Sequence, residues 1–112
     1  MNYHSITSDD DSYIWNLLVE HEGESFLTAK GLPYTYHRKT GRNGELLSEL
    51  VIDRKEKTIT RNTIVLAYKR ACELMETEHC VSGPKKLGCF GASYIYPVFL
   101  KLRICKDSPD TD

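Results

Sequence analysis

Residues 34–71 read YTYHRKTGRNGELLSELVIDRKEKTITRNTIVLAYKRA and contain the strongest structural signals in the chain. At their start, tyrosines alternate with polar residues, which is typical of a β-strand with one buried face. The dipeptide Asn43-Gly44 follows and strongly favours a β-hairpin turn. Further on, apolar residues recur at helical spacing from Thr60. The stretch therefore predicts a hairpin followed by a helix.

The register of the hairpin depends on the length of its turn. A two-residue turn places Tyr36 opposite Val51 and Arg38 opposite Glu49. An aromatic residue facing a β-branched one, and two opposite charges facing each other, both stabilise antiparallel strands. We therefore expect this register, which a longer loop would shift.

The helix that follows has a well-defined start. Thr60 can act as its N-cap, because a threonine hydroxyl accepts a hydrogen bond from a first-turn amide. Ile59 and Ile64 then occupy the two positions of a hydrophobic staple. The pattern predicts a helix that fades over residues 76–80, with an apolar stripe of Ile64, Tyr68, Ala71, Cys72 and Met75.

Helical patterns also occur towards both ends of the chain. Residues 8–23 begin with acids, which the helix dipole favours, and Gly23 is placed to end that helix. Residues 93–102 predict a last helix with Ser93 as its cap and a proline in its first turn, where proline is tolerated. Apolar and basic residues alternate near the end of this segment, so a strand over residues 98–105 is the alternative.

These elements predict an α+β fold in a single domain over residues 1–112, with an antiparallel hairpin or small sheet packed on two to four helices. A hairpin beside helices also allows a winged-helix-like arrangement. Residues 1–8 and 106–112 are expected to be flexible tails. The sequence has no secretory-signal pattern and no apolar run long enough to span a bilayer, so we expect a cytoplasmic protein without a membrane partner.

Charge is unevenly distributed along the chain. The formal net charge is −1, yet residues 30–70 contain ten basic and four acidic residues. Residues 85–106 contain five basic residues and no acidic one, whereas residues 1–29 contain six acids and neither Lys nor Arg. Such segregation predicts electrostatic recognition of a charged partner.

Four basic residues in the first basic segment, Arg54, Lys55, Lys57 and Arg61, are predicted at or just before the start of the central helix. Cations there oppose the helix dipole, and the acids near the other end are also on the unfavourable side. A bound anion would relieve this conflict, because helix N-termini attract anions. An ordinary solvated basic turn is the alternative.

The second basic segment contains a glycine-rich loop, SGPKKLGCFGAS, at residues 82–93. Its glycines would allow backbone amides to approach a phosphate near Lys85 and Lys86. The loop is not a P-loop, because the Lys-Ser/Thr pair that completes that motif is absent. A tight structural turn is the alternative.

If the two basic segments share one surface, they suit a nucleic-acid backbone. We therefore expect a small non-enzymatic nucleic-acid-binding domain, with duplex DNA as the favoured target and a regulatory, mobile-element or defence role in a bacterium or phage. Tyr34, Tyr36, Tyr94 and Tyr96 could add stacking rings, although alternating tyrosines ordinarily pack in a core. The predicted contact residues are Arg38, Lys39, Arg42, Arg54, Lys55, Lys57, Arg61, Lys69, Arg70, Lys85 and Lys86.

Other functions have weaker signals. Separate acidic and basic faces would also suit a protein-interaction module or a small inhibitor subunit, and a dimer is conceivable. Cys89, in the basic glycine-rich loop, would be a reactive thiol if its pKa were lowered. The four cysteines form no C-x-x-C pair and are expected to be free thiols, and the spacing of His79, Cys80 and Cys89 fits no zinc motif. No metal or cofactor is predicted.

Overall fold

In a computed structural model, residues 8–109 are described, with side chains from residue 11 onward. These residues form three α-helices and two small antiparallel sheets, which confirms the predicted α+β class. Of the tails predicted to be flexible, residues 1–7 and 110–112 lie outside the described residues. Ser8 already begins a helix, and the carbonyl of Lys106 accepts a hydrogen bond from the Val81 amide at 2.7 Å. The elements are α1 (Ser8–Glu20), β1 (Phe26–Leu27), β2 (Pro33–Tyr34), β3 (Tyr36–Thr40), β4 (Leu46–Ile52), β5 (Lys57–Thr60), α2 (Arg61–Thr77), a 3-10 helix (Pro84–Leu87) and α3 (Ala92–Lys101).

Helix α1 buries the face that contains Ile14, Trp15 and Leu18. It ends at Glu20, and the chain then turns through Gly23, whose φ of +88° is a conformation that glycine adopts readily. The Gly23 amide donates a hydrogen bond to the carbonyl of Tyr36 at 3.0 Å, so the predicted stop also joins α1 to the sheet.

The larger sheet has the order β3-β4-β5, and the predicted register of its hairpin is wrong by one residue. Tyr36 pairs with Ile52, and Arg38 pairs with Leu50. Five residues, 41–45, connect β3 to β4 instead of two. The observed register keeps Tyr36, Leu50 and Ile52 buried, whereas the predicted one would have paired Tyr36 with the half-buried Val51.

The longer connection is stabilised by local hydrogen bonds. The Gly41 amide donates to the carbonyl of Glu45 at 2.7 Å, and the Gly44 amide donates to the carbonyl of Gly41 at 3.0 Å. The pairing becomes irregular between Arg38 and Thr40, where the Arg38 guanidinium donates to the carbonyl of Leu47 at 3.2–3.3 Å. These contacts replace the tight turn that Asn-Gly favours.

Helix α2 begins as predicted. The Thr63 amide donates to the Thr60 hydroxyl at 3.2 Å, and both staple residues, Ile59 and Ile64, are buried. The helix ends at Thr77, within the region where the pattern fades. The buried face of the helix is rotated slightly from the predicted apolar stripe. Tyr68, Cys72 and Met75 of that stripe are only half-buried. The buried residues of the helix are Ile64, Ala67, Ala71 and Leu74.

Helix α3 includes residues 98–101, so the strand alternative is wrong there. Its N-cap is Gly91 at φ +74°, not Ser93, and no side chain caps it. Pro97 therefore lies inside the helix and not in its first turn. Gly91 is constrained by packing, because a Cβ atom at this position would lie 2.6 Å from Cδ1 of Ile59.

Three buried tyrosines connect the layers through their hydroxyl groups. Tyr36 donates to the carbonyl of Leu18 at 2.5 Å, and Tyr34 donates to that of Tyr94 at 2.6 Å. Tyr96 donates to the carbonyl of Val81 at 2.5 Å. Burying a hydroxyl group without a hydrogen-bond partner is unfavourable, and these bonds give each hydroxyl an acceptor. They also hold β2, β3 and the loop before the 3-10 helix against α1 and α3.

The described helices are too short or too polar to cross a bilayer.

Candidate nucleic-acid interface

Two of the predicted contact residues, Arg38 and Arg61, are engaged in the fold. The guanidinium carbon of each lies 5.7 Å from the ring centroid of Trp15. Trp15 is only 4% exposed, so the two arginines cover a core residue of α1. Arg38 is further held by the carbonyl of Leu47. Neither guanidinium can move to a ligand without uncovering this tryptophan.

The charge conflict predicted at the start of α2 is resolved within the protein. Nε of Arg61, the first residue of the helix, lies 2.9 Å from Oδ1 of Asp11 on α1. The Thr60 hydroxyl already accepts a hydrogen bond from a first-turn amide. One basic residue at this helix start is therefore paired with an acid of α1, and one first-turn amide is bound by the Thr60 cap.

Arg54 and Lys55 do not lie at the start of α2. They belong to the turn of residues 53–56, and strand β5 separates that turn from the helix by about 13 Å at the usual rise per residue. Asp53 in the same turn accepts hydrogen bonds from the Thr35 amide and hydroxyl, both at 2.9 Å, and these bonds lower the pKa of its carboxyl. Arg54 donates to the carbonyl of Pro33 at 3.4 Å.

Lys57 connects this turn to the glycine-rich loop. Its ammonium nitrogen lies 5.1 Å from the ring centroid of Phe90 and 5.6 Å from that of Tyr94. Lys57 pairs with Ile52 in the sheet, which fixes the backbone from which it reaches the two rings. A residue of the first basic segment thus contacts the loop of the second.

The second basic segment also meets helix α2. Nε of Arg70 donates to the carbonyl of Lys86 at 3.2 Å, and Nη1 of the same arginine lies 3.4 Å from Glu73. Lys85 lines a shallow depression with Gly88, on the loop that leads to Phe90. Lys85 and Lys86 are both exposed.

The residues of these contacts, with the exposed lysines between them in the chain, are together called the Phe90 surface below. Its charge is mainly positive, although Asp53, Glu56 and Glu73 lie within it or beside it. It includes residues from both basic segments, which meet where Lys57 lies beside the Phe90 ring. Its members are Lys57, Arg70, Lys85, Lys86 and Phe90, with Arg54 and Lys55 in the adjoining turn.

The remaining predicted contacts lie elsewhere. Lys39 is 3.8 Å from Glu49 on the neighbouring strand, and Arg42 is exposed in the loop between β3 and β4. Lys69 is half-buried on α2. No contact places these three residues on the Phe90 surface.

The aromatic member of the surface was not predicted. Tyr34, Tyr36, Tyr94 and Tyr96 are all at least 93% buried, so the suggested stacking tyrosines belong to the core. Phe90 is instead 59% exposed. The sequence contained a signal for this exposure. Phe90 lies between Gly88 and Gly91, outside the apolar periodicity of any helix, so no pattern placed it in the core.

The cysteines and the described histidines provide weaker evidence for chemistry than the basic surface does. Burial raises the pKa of Cys89, which contradicts the lowered pKa suggested for a reactive thiol. All four cysteines are thiols that form no disulfide bond with one another. Within residues 8–109, no three His, Cys, Asp or Glu side chains are grouped so that they could hold a metal ion.

No family model matches the chain, and no curated protein or solved structure matches it significantly.

Proposed function

We propose that this protein is a small non-enzymatic nucleic-acid-binding domain that contacts the phosphate backbone through the Phe90 surface. The observation that carries this proposal is the contact between Lys57 and Phe90, at 5.1 Å from nitrogen to ring centroid. This contact joins two basic segments that are remote in sequence. Duplex DNA is the target that the sequence favours, and a regulatory, mobile-element or defence role in the cytoplasm belongs to the same proposal.

The start of α3 adds to the attraction for phosphate. The helix has no acidic residue in its first turn and no side-chain cap at Gly91. Its first-turn amides thus have no side-chain acceptor, whereas in α2 the Thr60 hydroxyl accepts a hydrogen bond from the Thr63 amide. Exposed lysines beside such a helix start provide mobile charges that can adapt to a phosphodiester chain.

The loop between β3 and β4 provides a second contact in this proposal. Arg42 is exposed at the tip of the hairpin and could touch an adjacent groove, as a wing does in winged-helix proteins. Lys39 is paired with Glu49, and Arg38 donates to the carbonyl of Leu47. Arg42 is therefore the basic residue of the hairpin that is best placed to touch a groove. An Arg42→Gln variant tests this contact separately.

The proposal is tested by fluorescence anisotropy with labelled duplex DNA across a salt series. The test variant is Lys85→Gln/Lys86→Gln. Its matched control is Lys30→Gln/Arg103→Gln, which removes the same charge from two exposed residues that are not among the predicted contacts, Arg103 being beyond the C-terminal end of α3. If both lysines contact phosphates, the test variant loses up to about 2 units of the slope of log K against log salt, since each contact contributes about 0.9.

Equal binding and equal slopes for the two variants would contradict the assignment of the surface. Absence of binding by the unmodified protein at low salt, to duplex and single strand alike, would refute nucleic-acid binding itself.

A protein partner is the second candidate, and one feature favours it. Leu27 is 59% exposed and lines a depression together with Pro97 and Leu100 of α3. Exposed apolar side chains in a depression are common at protein interfaces. Sedimentation of the purified chain distinguishes the two candidates, because a tight dimer that hides Lys85 and Lys86 from biotinylation would favour an interaction module.

A further inference from the structure

Phe90 is exposed because the backbone holds it outward. It is followed by Gly91, which has φ +74° and packs against Ile59 so closely that no Cβ would fit. Gly88, two residues before Phe90, has φ +62°. On either side of Phe90, the Gly88 amide donates a hydrogen bond to the carbonyl of Lys85 at 3.1 Å, and the Ala92 amide donates one to the carbonyl of Cys89 at 3.3 Å. The phenylalanine thus projects from a fixed loop, with 59% of its surface exposed.

One neighbour of the ring is a cation. The ammonium of Lys57 lies 5.1 Å from the ring centroid, a distance at which the cation is attracted to the ring. Strand pairing with Ile52 sets the backbone position of this lysine. An exposed ring beside an ammonium matches a nucleotide, whose base can stack on the ring while its phosphate pairs with the cation.

We infer that Phe90 stacks on an unpaired base, so that the preferred ligand is a single-stranded nucleic acid and not an intact duplex. In a duplex both faces of each base are covered by neighbouring bases, so the ring would have no free face to contact. This inference rests on the proposed nucleic-acid binding and replaces duplex DNA as its favoured target. Lys57, Lys85 and Lys86 supply the backbone contacts that flank the base.

The test compares three proteins: the unmodified chain, Phe90→Leu and Phe90→Tyr. Leucine keeps an apolar side chain but has no ring, whereas tyrosine keeps the ring. Because Phe90 is exposed, both variants should fold, and equal urea midpoints verify this. Each is titrated into a labelled single strand of mixed sequence and into the matching duplex, and a second strand contains 2-aminopurine, whose fluorescence is quenched by stacking.

For Phe90→Leu we expect single-strand affinity to fall about fivefold or more, as for the loss of one stacked base, with no quenching of 2-aminopurine. Phe90→Tyr should bind and quench as the unmodified protein does. For Phe90→Leu, duplex affinity should fall by a smaller factor than single-strand affinity, because a duplex has no unpaired base for the ring to stack on.

Two other outcomes overturn the inference in different ways. If Phe90→Leu binds and quenches like the unmodified protein, Phe90 does not stack, but nucleic-acid binding by the lysines stands. If the unmodified protein binds neither probe at low salt, the proposed function itself is wrong.

Discussion

Arg61 and Asp11 are fifty positions apart in the chain, and their side chains form an ion pair at 2.9 Å. The pair joins the first residue of α2 to α1, and the Arg61 guanidinium also covers Trp15. The basic residue that most directly suggested an anion site at α2 is therefore part of the packing between two helices. The same contact pairs one acid of the acidic N-terminal segment with one basic residue of the segment that follows it.

Arg61→Ala should lower the free energy of unfolding by about 1–2 kcal/mol, mainly through lost packing on Trp15. The ion pair itself should contribute less than about 1 kcal/mol, because both side chains are at least one-third exposed. Urea unfolding followed by the fluorescence of Trp15 measures both quantities when Asp11→Ala and the double variant are included. Unchanged stability of Arg61→Ala, together with a large loss of DNA binding, would return Arg61 to the site.

Alkaline pH should destabilise the protein. Burial raises the pKa of Tyr96 from 10.0 to about 12 and that of Cys105 from 9.0 to about 11, and it also raises the pKa values of Tyr34 and Tyr36. Since the folded state binds these protons more tightly than the unfolded state, the stabilisation is complete below about pH 9 and is lost as the pH rises towards about 12. Urea unfolding at several pH values across this range measures the loss.

Tyr96→Phe is the variant that checks the cause. It loses the hydrogen bond to Val81 and about 1 kcal/mol at neutral pH. Because it has one fewer proton to release, its stability should fall less steeply between pH values of about 10 and 12. A slope as steep as that of the unmodified protein would show that other groups control the transition.

Gly91→Ala should destabilise the protein more than Gly88→Ala. Both glycines have positive φ, which costs an alanine about 1 kcal/mol. Only at position 91 would the added Cβ also collide with Ile59, since nothing lies within 4 Å at position 88. We expect a loss of about 2 kcal/mol or more for Gly91→Ala in urea unfolding.

Ile59→Val offers a direct control for this collision, because it removes the Cδ1 atom that lies nearest to the added methyl group. The double variant Gly91→Ala/Ile59→Val should therefore be more stable than the sum of the two single losses predicts. Strict additivity would mean that the collision is relieved in another way.

Cys89 should not react selectively with an alkylating reagent at neutral pH. Burial raises the pKa of its thiol, so little thiolate is available for attack. Cys105 should be the slowest of the four thiols, because it is 3% exposed and the pKa of its thiol is about 11. Peptide mass spectrometry after timed iodoacetamide treatment gives the four rates, and a fast, selective reaction at Cys89 would restore the hypothesis of an enzyme.

Local signals in the sequence determine several elements correctly. The cap at Thr60 and the staple of Ile59 and Ile64 involve neighbours within one turn, so short-range rules identify the start of α2. The hairpin register could not be derived in this way. It depends on how Arg38 meets the carbonyl of Leu47 and on which residues of β4 the core accepts.

The candidate site shows the same division. Its charges were visible as two basic segments, but their meeting depends on Lys57 reaching Phe90, thirty-three positions away. The ion pair of Arg61 depends on Asp11, which lies fifty positions away. Composition identifies which residues carry charge, whereas only the tertiary structure shows which charges the protein has already neutralised.

The sheet order β3-β4-β5, with α2 following β5, also has a consequence for the kinetics of folding. Each strand meets its neighbour across a short loop, so little loop entropy is lost before these contacts form. By contrast, helix α1 packs on α2 from a position that lies before all five strands in the sequence, so this contact closes a long loop. We therefore expect α1 to dock after the rate-limiting step, and Arg61→Ala to accelerate unfolding while the refolding rate stays unchanged. Stopped-flow measurements in urea would show the opposite, slower refolding, if α1 belonged to the nucleus.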